Sequence, residues 1–296
     1  MNGHTIKEWL LATRPWSFPA STMPVFVTMM FLWSKGLEVS WWLGLMALVN
    51  IVLVHAAGNV WSDYHDYRQG VDAPDTYGVR ILTDKQFTPK EVLSLSISLQ
   101  VAAVLMGLLM VWLTGITLLW FGLAGIALSL FYPPLKYMAL GDLVIMACYA
   151  LLPMLGTTFI CSGNIVPEVL WLAVPVGSIT VAILHANNAR DIETDKRAHI
   201  STFAMLTGRQ TAIYVYLLEM ILPYCWLLAV ALLGNVSLWT LTTFVTLPIA
   251  IGNCKQMLSC KNEGIKAIAT LDEATAKLQL AFSMTLAIGF IIEGLT

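Results

Sequence analysis

The sequence predicts an all-α, multipass membrane protein in which about nine transmembrane helices surround a central cavity open to the cytoplasmic side. Of its 296 residues, 58% are hydrophobic and only 11% are charged, whereas about a quarter of the residues in an average soluble domain are charged. Because irregular backbone cannot face lipid, the long apolar stretches are predicted to be helices. No shift in composition marks a soluble domain or a low-complexity linker, so residues 1–296 are predicted to form a single transmembrane domain.

Nine segments approach the length of roughly 20 residues that a membrane helix needs. The first segment is 15–34, and the second lies between Glu38 and Asp63. The uncharged stretch 92–135 is long enough for two helices, and we expect these helices to separate near Gly115. The remaining five segments are 143–167, 169–189, 211–233, 237–254 and 276–295.

The distribution of basic residues predicts the orientation of the chain. Of the 16 Lys and Arg residues, all except Lys35 lie near the N-terminus or in, or at the edge of, alternate loops, which are 63–91, 133–142, 189–210 and 255–275. Cytoplasmic loops of membrane proteins carry such an excess of positive charge. We therefore predict that these loops face the cytoplasm. Separately, we expect the membrane to be the inner membrane of a bacterial cell.

The first polar cluster begins near the end of the second apolar segment. Asn59, Asp63 and Asp66 are spaced i, i+4 and i+7, so their side chains point the same way on a helix. Asp72 follows in the adjoining loop. This helix end is therefore predicted to present several oxygen ligands together.

The second polar cluster follows the sixth apolar segment and has a similar arrangement. Asn188, Asp191 and Asp195 are spaced i, i+3 and i+7, and Arg190 lies among them. Because this cluster and the first both border loops of the basic set, we expect them on the same side of the membrane.

Both clusters contain oxygen ligands without an accompanying cysteine or two-histidine pattern. The five cysteines are odd in number and show no C-x-x-C spacing, which argues against a disulfide framework or a structural zinc site. Carboxylates near hydrocarbon are costly unless they are paired or bind cations. Hard oxygen groups suit Mg²⁺, which commonly lies between carboxylates and substrate phosphates. Two such clusters predict a magnesium–diphosphate site at the membrane surface.

The two clusters resemble the paired aspartate motifs of the UbiA superfamily of intramembrane prenyltransferases. The resemblance extends to the Arg14-Pro15 pair at the first helix and to the stretch from Tyr132 to Lys136 after the fourth. It covers essentially the whole chain, in order. Within the superfamily, the pattern is most similar to the branch that prenylates 1,4-dihydroxy-2-naphthoate in menaquinone biosynthesis.

The resemblance implies a reaction and a set of site residues. Such enzymes bind a polyprenyl diphosphate through Mg²⁺ held by the two aspartate motifs, and they transfer the prenyl group to a carbon of an aromatic ring. The implied catalytic residues are Asp63, Asp66, Asp191, Asp195 and Lys136, of which the four aspartates would be Mg²⁺ ligands. The implied substrate-binding residues are Asn59, Arg68, Asp72, Arg80, Tyr132, Asn188 and Arg190.

The resemblance also implies the partners of the reaction. They are a polyprenyl diphosphate, an aromatic acceptor and membrane lipid, and nucleic acid is not among them. In the naphthoate branch the acceptor loses its carboxylate, so the expected product is a demethylmenaquinone. Ile200 stands where relatives commonly carry a lysine, which leaves 4-hydroxybenzoate, a chlorophyll precursor, haem or a lipid glycerol phosphate open as acceptors. The sequence does not indicate the isoprenoid chain length or the oligomeric state.

A cation transporter is the alternative from another functional class. Transporters place their ligands near the bilayer midplane, often at broken helices. Here both acidic clusters lie at one predicted membrane face, beside basic residues that would repel a transported cation but attract a diphosphate. The sequence therefore favours the enzyme. His55 and His185 lie on largely apolar segments and are predicted to be hydrogen-bonded core groups rather than metal ligands.

Overall fold

The computed structural model describes residues 4–73 and 76–296, and within these ranges it is helical, with one isolated β-bridge and no strand. The α-helices are α1 (Ile6–Ala12), α2 (Pro19–Ser34), α3 (Trp41–Gln69), α4 (Pro89–Thr114), α5 (Thr117–Lys136), α6 (Gly141–Met146), α7 (Leu152–Ser162), α8 (Leu170–Arg190), α9 (Ile192–Arg197), α10 (Phe203–Thr207), α11 (Arg209–Leu232), α12 (Leu247–Glu263) and α13 (Leu271–Leu295). A π-helical turn (Ala147–Leu151) joins α6 to α7. The predicted all-α fold is confirmed.

In the described part of the chain, seven helical segments are long and apolar enough to cross a membrane. They correspond to seven of the nine predicted segments. The first predicted segment contains α2, which has 16 residues. The eighth is a 3₁₀-helix (Leu238–Thr246) that continues into α12, which has 17 residues. The predicted count of nine is therefore approximate, while the multipass membrane architecture is confirmed.

Local sequence explains where α4 begins and ends. The Thr88 side chain accepts a hydrogen bond from the Glu91 backbone, the Glu91 side chain accepts one from the Thr88 backbone, and Pro89 occupies the first turn. This reciprocal arrangement satisfies N–H groups that have no partner within the helix. The helix ends at Gly115, whose φ of 116° is a conformation that L side chains rarely adopt. The predicted break in the uncharged stretch is thus present.

The first acidic cluster lies near the C-terminal end of α3, which is longer than the hydrocarbon core is thick. At 1.5 Å per residue its 29 residues extend about 44 Å, whereas the hydrocarbon core is roughly 30 Å thick. The helix ends at Gly70, which has a left-handed φ of 71°, a common way to terminate a helix. Asp63 and Asp66 lie in the last two turns, and the helix is long enough to place them at the edge of the hydrocarbon.

Helix α8 occupies the centre of the bundle and is the most buried of the candidate spans. It packs against α6, α11 and α13, and Leu172, Val176 and Ile179 have no exposed surface. Gly177 permits the close approach of α6, since a Cβ atom there would lie 2.3 Å from the sulfur of Met146. The C-terminal end of α8 therefore brings the second acidic cluster to the middle of the bundle.

Candidate active site

A cavity of about 570 Å³ lies between α3, α4, α5, α7 and α8. Its lining residues on α3 run from Ala47 to Asp66, a distance of about 28 Å along the helix at 1.5 Å per residue. One end of the cavity is lined by charged and amide side chains, and the remainder is mostly apolar. The cavity thus joins a polar site to a long apolar channel.

The polar end brings the two acidic clusters together. Asp66 and Asp72 of the first cluster line the same cavity as Asp191 and Asp195 of the second. They meet because α3, α5 and α8 all have their C-terminal ends at this face. Lys136, the last residue of α5, completes the group by contacting Asp66.

Asp66 is held by three polar side chains. The Lys136 ammonium donates to Asp66 Oδ2 at 3.2 Å, and the Tyr137 hydroxyl donates to Oδ1 at 2.7 Å. The Ser62 hydroxyl donates to Oδ2 at 3.3 Å. A cationic donor therefore lies directly beside the first acidic cluster.

Asp63 is not among the residues that line the cavity, and it pairs with Arg14, which is. Its carboxylate is buried, and Oδ2 has no hydrogen-bond partner among the described residues. Arg14 has a left-handed φ of 57°, which is uncommon for a residue other than glycine. This backbone conformation, at the turn between α1 and the following Pro15, places the guanidinium between Asp63 and the cavity.

The second cluster is organised by Arg190. Its guanidinium donates two hydrogen bonds of 2.8 Å to the Asp191 carboxylate and lies 3.3 Å from Asp272 of α13. The planar side chain also stacks over the Tyr77 ring, with the guanidinium carbon 5.1 Å from the ring centre. A two-point contact of this kind fixes the orientation of a carboxylate.

The free carboxylates of the site are crowded. Burial raises the pKa of Asp195 to about 7, and Asp191 and Asp66 add to this rise against the opposing effect of Lys136. Burial and the adjacent Asp66 likewise raise the pKa of Asp72 to about 6. Mutual repulsion between carboxylates would be relieved by a cation placed between them.

The donor set fits Mg²⁺ when a diphosphate supplies the remaining ligands. Among the described residues, no three His, Cys, Asp or Glu side chains converge closely enough to hold a metal alone. Mg²⁺ is usually bound by one or two carboxylates together with water and substrate phosphates, and each cluster supplies that number. Asn187 adds a buried amide oxygen that lines the cavity and has no hydrogen-bond partner in the described chain.

Three further predicted residues also line the cavity, namely Asn59, Tyr132 and Asn188. The Asn59 amide donates to the Thr13 carbonyl and to the Ser17 hydroxyl, both at 3.0 Å. These bonds fix Asn59 against the chain that leads into α2.

Two predicted substrate-binding residues lie elsewhere. Arg68 does not line the cavity; its guanidinium donates to the Tyr64 hydroxyl at 3.2 Å on an exposed face of α3. Arg80 donates to the Thr76 carbonyl and pairs with Asp84 within its own loop. Basic residues near helix ends are also what the positive-inside rule predicts, and the sequence alone does not separate that role from substrate binding.

Sequence reasoning assigned no role to Arg14 or Tyr137. Arg14 was noticeable as part of the Arg14-Pro15 pair, but its pairing with Asp63 spans 49 positions. Tyr137 directly follows Lys136, and nothing in the local pattern indicates that its hydroxyl reaches Asp66.

The two histidines are hydrogen-bonded within the helix bundle. His55 contacts the Ser21 hydroxyl at 2.8 Å and the Ser17 hydroxyl at 3.2 Å through its two ring nitrogens. His185 contacts Glu219 at 3.0 Å. Both contacts fit the prediction of hydrogen-bonded core groups.

The fold resembles solved structures across nearly the whole chain. A UbiA homolog from Aeropyrum pernix K1, in its apo form, has a TM-score of 0.70 and 17% sequence identity, and covers 98% of this chain and 99% of that chain. A UbiA homolog from Archaeoglobus fulgidus bound to GPP and Mg²⁺ has a TM-score of 0.67 and 14% identity, and covers 95% and 99%. At this identity the likeness concerns the fold.

Relatives in sequence include UbiA prenyltransferase domain-containing protein 1 from two vertebrates. The Danio rerio protein is 32% identical over 292 residues, which cover 96% of this chain and 84% of the relative. The Homo sapiens protein is 31% identical over 293 residues, with 96% and 83% covered. These are animal proteins, so they give no support to a bacterial inner membrane and do not single out the naphthoate branch.

A family model described as the UbiA prenyltransferase family matches residues 21–292. This range contains both acidic clusters and every helix from α3 to α12 in full, and it reaches well into α2 and α13. Sequence relatives, family model and fold agree, and the predicted enzyme class, a prenyltransferase, is confirmed. The chain therefore belongs to the UbiA prenyltransferase family.

Proposed function

We propose that the protein transfers the prenyl group of a polyprenyl diphosphate to an aromatic acceptor inside the cavity, with Mg²⁺ as its cofactor. The observation that carries this proposal is the arrangement of the cavity, in which both acidic clusters line one end and apolar side chains line the rest. A polyprenyl diphosphate has the same division between a charged head and an apolar tail.

The head group would bind at the polar end. Asp66, Asp191 and Asp195 are the residues that would hold Mg²⁺, with Asp72 beside them, and the Archaeoglobus fulgidus homolog is bound to GPP and Mg²⁺. When bound, Mg²⁺ supplies Lewis acidity that stabilises negative charge on the leaving diphosphate. Asp63 would join this set if Arg14 released it.

The cationic side chains would bind phosphate oxygens. Lys136 contacts Asp66, and Arg14 lies between Asp63 and the cavity. Both cations therefore already lie at the edge of the proposed diphosphate site. As the bond between carbon and diphosphate breaks, charge develops on the leaving group, and a fixed cation is most effective where charge develops. We assign this role first to Lys136, a point charge on the last turn of α5 that the contact with Asp66 holds in place.

The prenyl tail would occupy the apolar part of the cavity. This part is lined by α4 and α5, including Leu108, Val111, Leu118 and Ile126. An apolar lining excludes water from the allylic, carbocation-like centre, which protects it from hydrolysis. Helices α4 and α5 are the least buried of the candidate spans, so they would separate the tail from membrane lipid.

The acceptor that we propose is 1,4-dihydroxy-2-naphthoate. Its electron-rich ring carbon would form a bond to the first carbon of the prenyl group while the bond to the diphosphate breaks. The carboxylate on that ring carbon would leave as CO₂, and the electron pair left behind restores the aromatic ring. The motif pattern from Asn59 to Asp72 supports this branch, and 4-hydroxybenzoate is the acceptor that competes with it.

We further propose that the site faces the cytoplasm, because the basic loops and both acidic clusters lie at the same face. The polar end of the cavity is formed by the C-terminal ends of α3, α5 and α8, and each of these ends leads into a basic loop. The diphosphate head group and a charged acceptor would reach the site from that side.

Turnover by the purified protein tests this proposal. The protein in lipid would be incubated with Mg²⁺, a polyprenyl diphosphate and either 1,4-dihydroxy-2-naphthoate or 4-hydroxybenzoate. The products would be identified by mass spectrometry. We expect a prenylated naphthoquinol and release of label from a ¹³C-carboxylate as CO₂. Preference for 4-hydroxybenzoate would overturn the acceptor, and failure to form any prenylated product would overturn the reaction.

A further inference from the structure

Tyr149 lies on the π-helical turn Ala147–Leu151, on the wall of the cavity that faces α3. Such turns insert an extra residue into a helix and occur frequently at functional sites. Here the turn allows the adjacent residues Cys148 and Tyr149 both to line the cavity. The reaction proposed above gives Tyr149 no task.

The hydroxyl of Tyr149 is available to a ligand. Across residues 4–73 and 76–296, no protein group hydrogen-bonds to it, although tyrosine hydroxyls inside proteins usually have a partner. Tyr137, Tyr216 and Tyr224, by contrast, all use their hydroxyls in hydrogen bonds between helices.

The ring of Tyr149 is held in place by a fixed neighbour. Its centre lies 4.9 Å from the centre of the His55 ring, at an angle of 80° between the ring planes, which is a favourable edge-to-face arrangement. His55 is itself fixed by the hydroxyls of Ser17 and Ser21 on its two ring nitrogens. The position of the tyrosine is thus set by the bundle before any ligand binds.

Tyr149 and His55 lie at the depth in the cavity where the diphosphate head and the prenyl tail of the proposed substrate would meet. On α3, His55 precedes Asn59 by one turn, about 6 Å, and precedes Asp66 by about 16 Å. The charged end of the site therefore lies on one side of Tyr149 and the apolar channel on the other.

We infer that the Tyr149 hydroxyl hydrogen-bonds to an oxygen on the ring of the aromatic acceptor, and that Tyr149 and His55 form one wall of the acceptor site. This inference rests on the proposed function. A prenyl tail has no hydrogen-bonding group, and the diphosphate would bind at the charged end. Of the substrates proposed, only a hydroxylated or carboxylated ring offers an oxygen at this depth. A flat ring held there would meet the first carbon of the prenyl group.

The variant Tyr149→Phe tests the inference, because it removes the hydroxyl and keeps the ring. Loss of one hydrogen bond between neutral groups should raise the KM of the acceptor roughly two- to tenfold, while the KM of the polyprenyl diphosphate stays the same. Tyr214→Phe is the matched control, since Tyr214 is exposed and its hydroxyl contacts Lys261 away from the cavity. We expect both KM values of this control to equal those of the wild type.

A second measurement uses the wild-type protein with altered ligands. Analogues of the acceptor that each lack one ring oxygen would be compared as competitive inhibitors of the wild type and of Tyr149→Phe. The analogue that lacks the oxygen bound by Tyr149 should inhibit the wild type more weakly than an analogue with all ring oxygens does. The two analogues should inhibit Tyr149→Phe equally.

Each outcome separates the inference from the proposed function. If the wild type forms prenylated product but Tyr149→Phe has an unchanged acceptor KM, or an increased KM for the diphosphate alone, the inference is overturned and the proposed function stands. If every analogue inhibits wild type and variant in the same proportion, the inference is also overturned. If the wild type forms no prenylated product, the proposed function fails and this inference fails with it.

Discussion

The ion pair between Arg14 and Asp63 should stabilise the fold far more than an exposed pair does. The Asp63 side chain is 3% exposed and Arg14 is 29% exposed, and one oxygen of Asp63 already has no partner among the described residues. The variant Arg14→Met would leave a buried carboxylate without its cation. Removing one partner of a buried pair costs roughly 3–5 kcal/mol, and the partial exposure of Arg14 places the expected loss near the lower end, about 3 kcal/mol.

The pair between Lys35 and Glu293 is the matched control. Its side chains are 37% and 20% exposed, and pairs exposed to solvent contribute about 0–1 kcal/mol. Lys35→Met should therefore reduce the free energy of unfolding by less than about 1 kcal/mol. Both variants replace a cation with the same unbranched apolar side chain, so the difference between them reports the environment of each carboxylate.

The double variant Arg14→Met, Asp63→Leu separates stability from activity. Replacing both members of a buried pair with apolar groups is often neutral or stabilising, so the double variant should recover most of the stability lost by Arg14→Met. It should not recover turnover, because it removes Arg14, which lies at the edge of the proposed diphosphate site, and also Asp63, which would join the Mg²⁺ ligands once Arg14 released it.

The assay is the free energy of unfolding in mixed detergent micelles, measured together with prenyl transfer on the same preparations. An effect of Arg14→Met no larger than that of Lys35→Met would refute the reasoning from burial. A double variant as unstable as Arg14→Met would show that the loss came from packing of the arginine stem rather than from an unpaired carboxylate.

Three further predictions concern the site and its orientation. Lys136→Ala should reduce turnover at least a hundredfold at unchanged protein yield, because a donor of this kind commonly contributes about 10²–10³ in rate. Lys136→Arg should remain partly active. Equal turnover by Lys136→Ala and wild type would leave the lysine a role in topology only. Tyr137→Phe removes the 2.7 Å hydrogen bond to Asp66 and should weaken Mg²⁺-dependent diphosphate binding about three- to tenfold in a titration. A hydrogen bond to a charged group contributes roughly 1.5–3 kcal/mol, and the other contacts of Asp66 offset part of its loss. Reporter tags placed in 189–210 and after Glu293 should report opposite sides of the membrane, because one end of α13 contacts Arg190 and the other pairs with Lys35; tags on the same side would contradict the packing.

The sequence was sufficient for those features that depend on local pattern. Long apolar runs must become helices in a membrane, and Gly115 ends α4 where a left-handed conformation is needed. The regular spacing of Asp63 and Asp66, together with the distribution of basic residues, indicated that the two acidic clusters share one face. The two clusters line one cavity because the helices that carry them, α3 and α8, both end at this face.

Features that depend on how distant helices pack were not predictable. The pairing of Asp63 with Arg14 depends on the angle at which α1 joins α2, and of these two residues only Arg14 lines the cavity. Tyr149 lies on a π-helical turn, and no residue pattern in 147–151 predicts that turn. Arg68 and Arg80 carry the same charge as Arg190, and only the packing shows which of them lines the cavity.

The central claim is that the two acidic clusters form one Mg²⁺-dependent diphosphate site, and direct binding tests it best. A prenyl thiodiphosphate that does not turn over would be titrated into wild type, Asp66→Asn and Asp195→Asn, with and without Mg²⁺. These exchanges remove charge from one cluster each and preserve side-chain size. We predict that the wild type binds only with Mg²⁺, and that each variant loses at least tenfold in affinity. Undiminished, Mg²⁺-dependent binding by either variant would show that its cluster is not part of the site, and binding by the wild type in excess chelator would contradict the account.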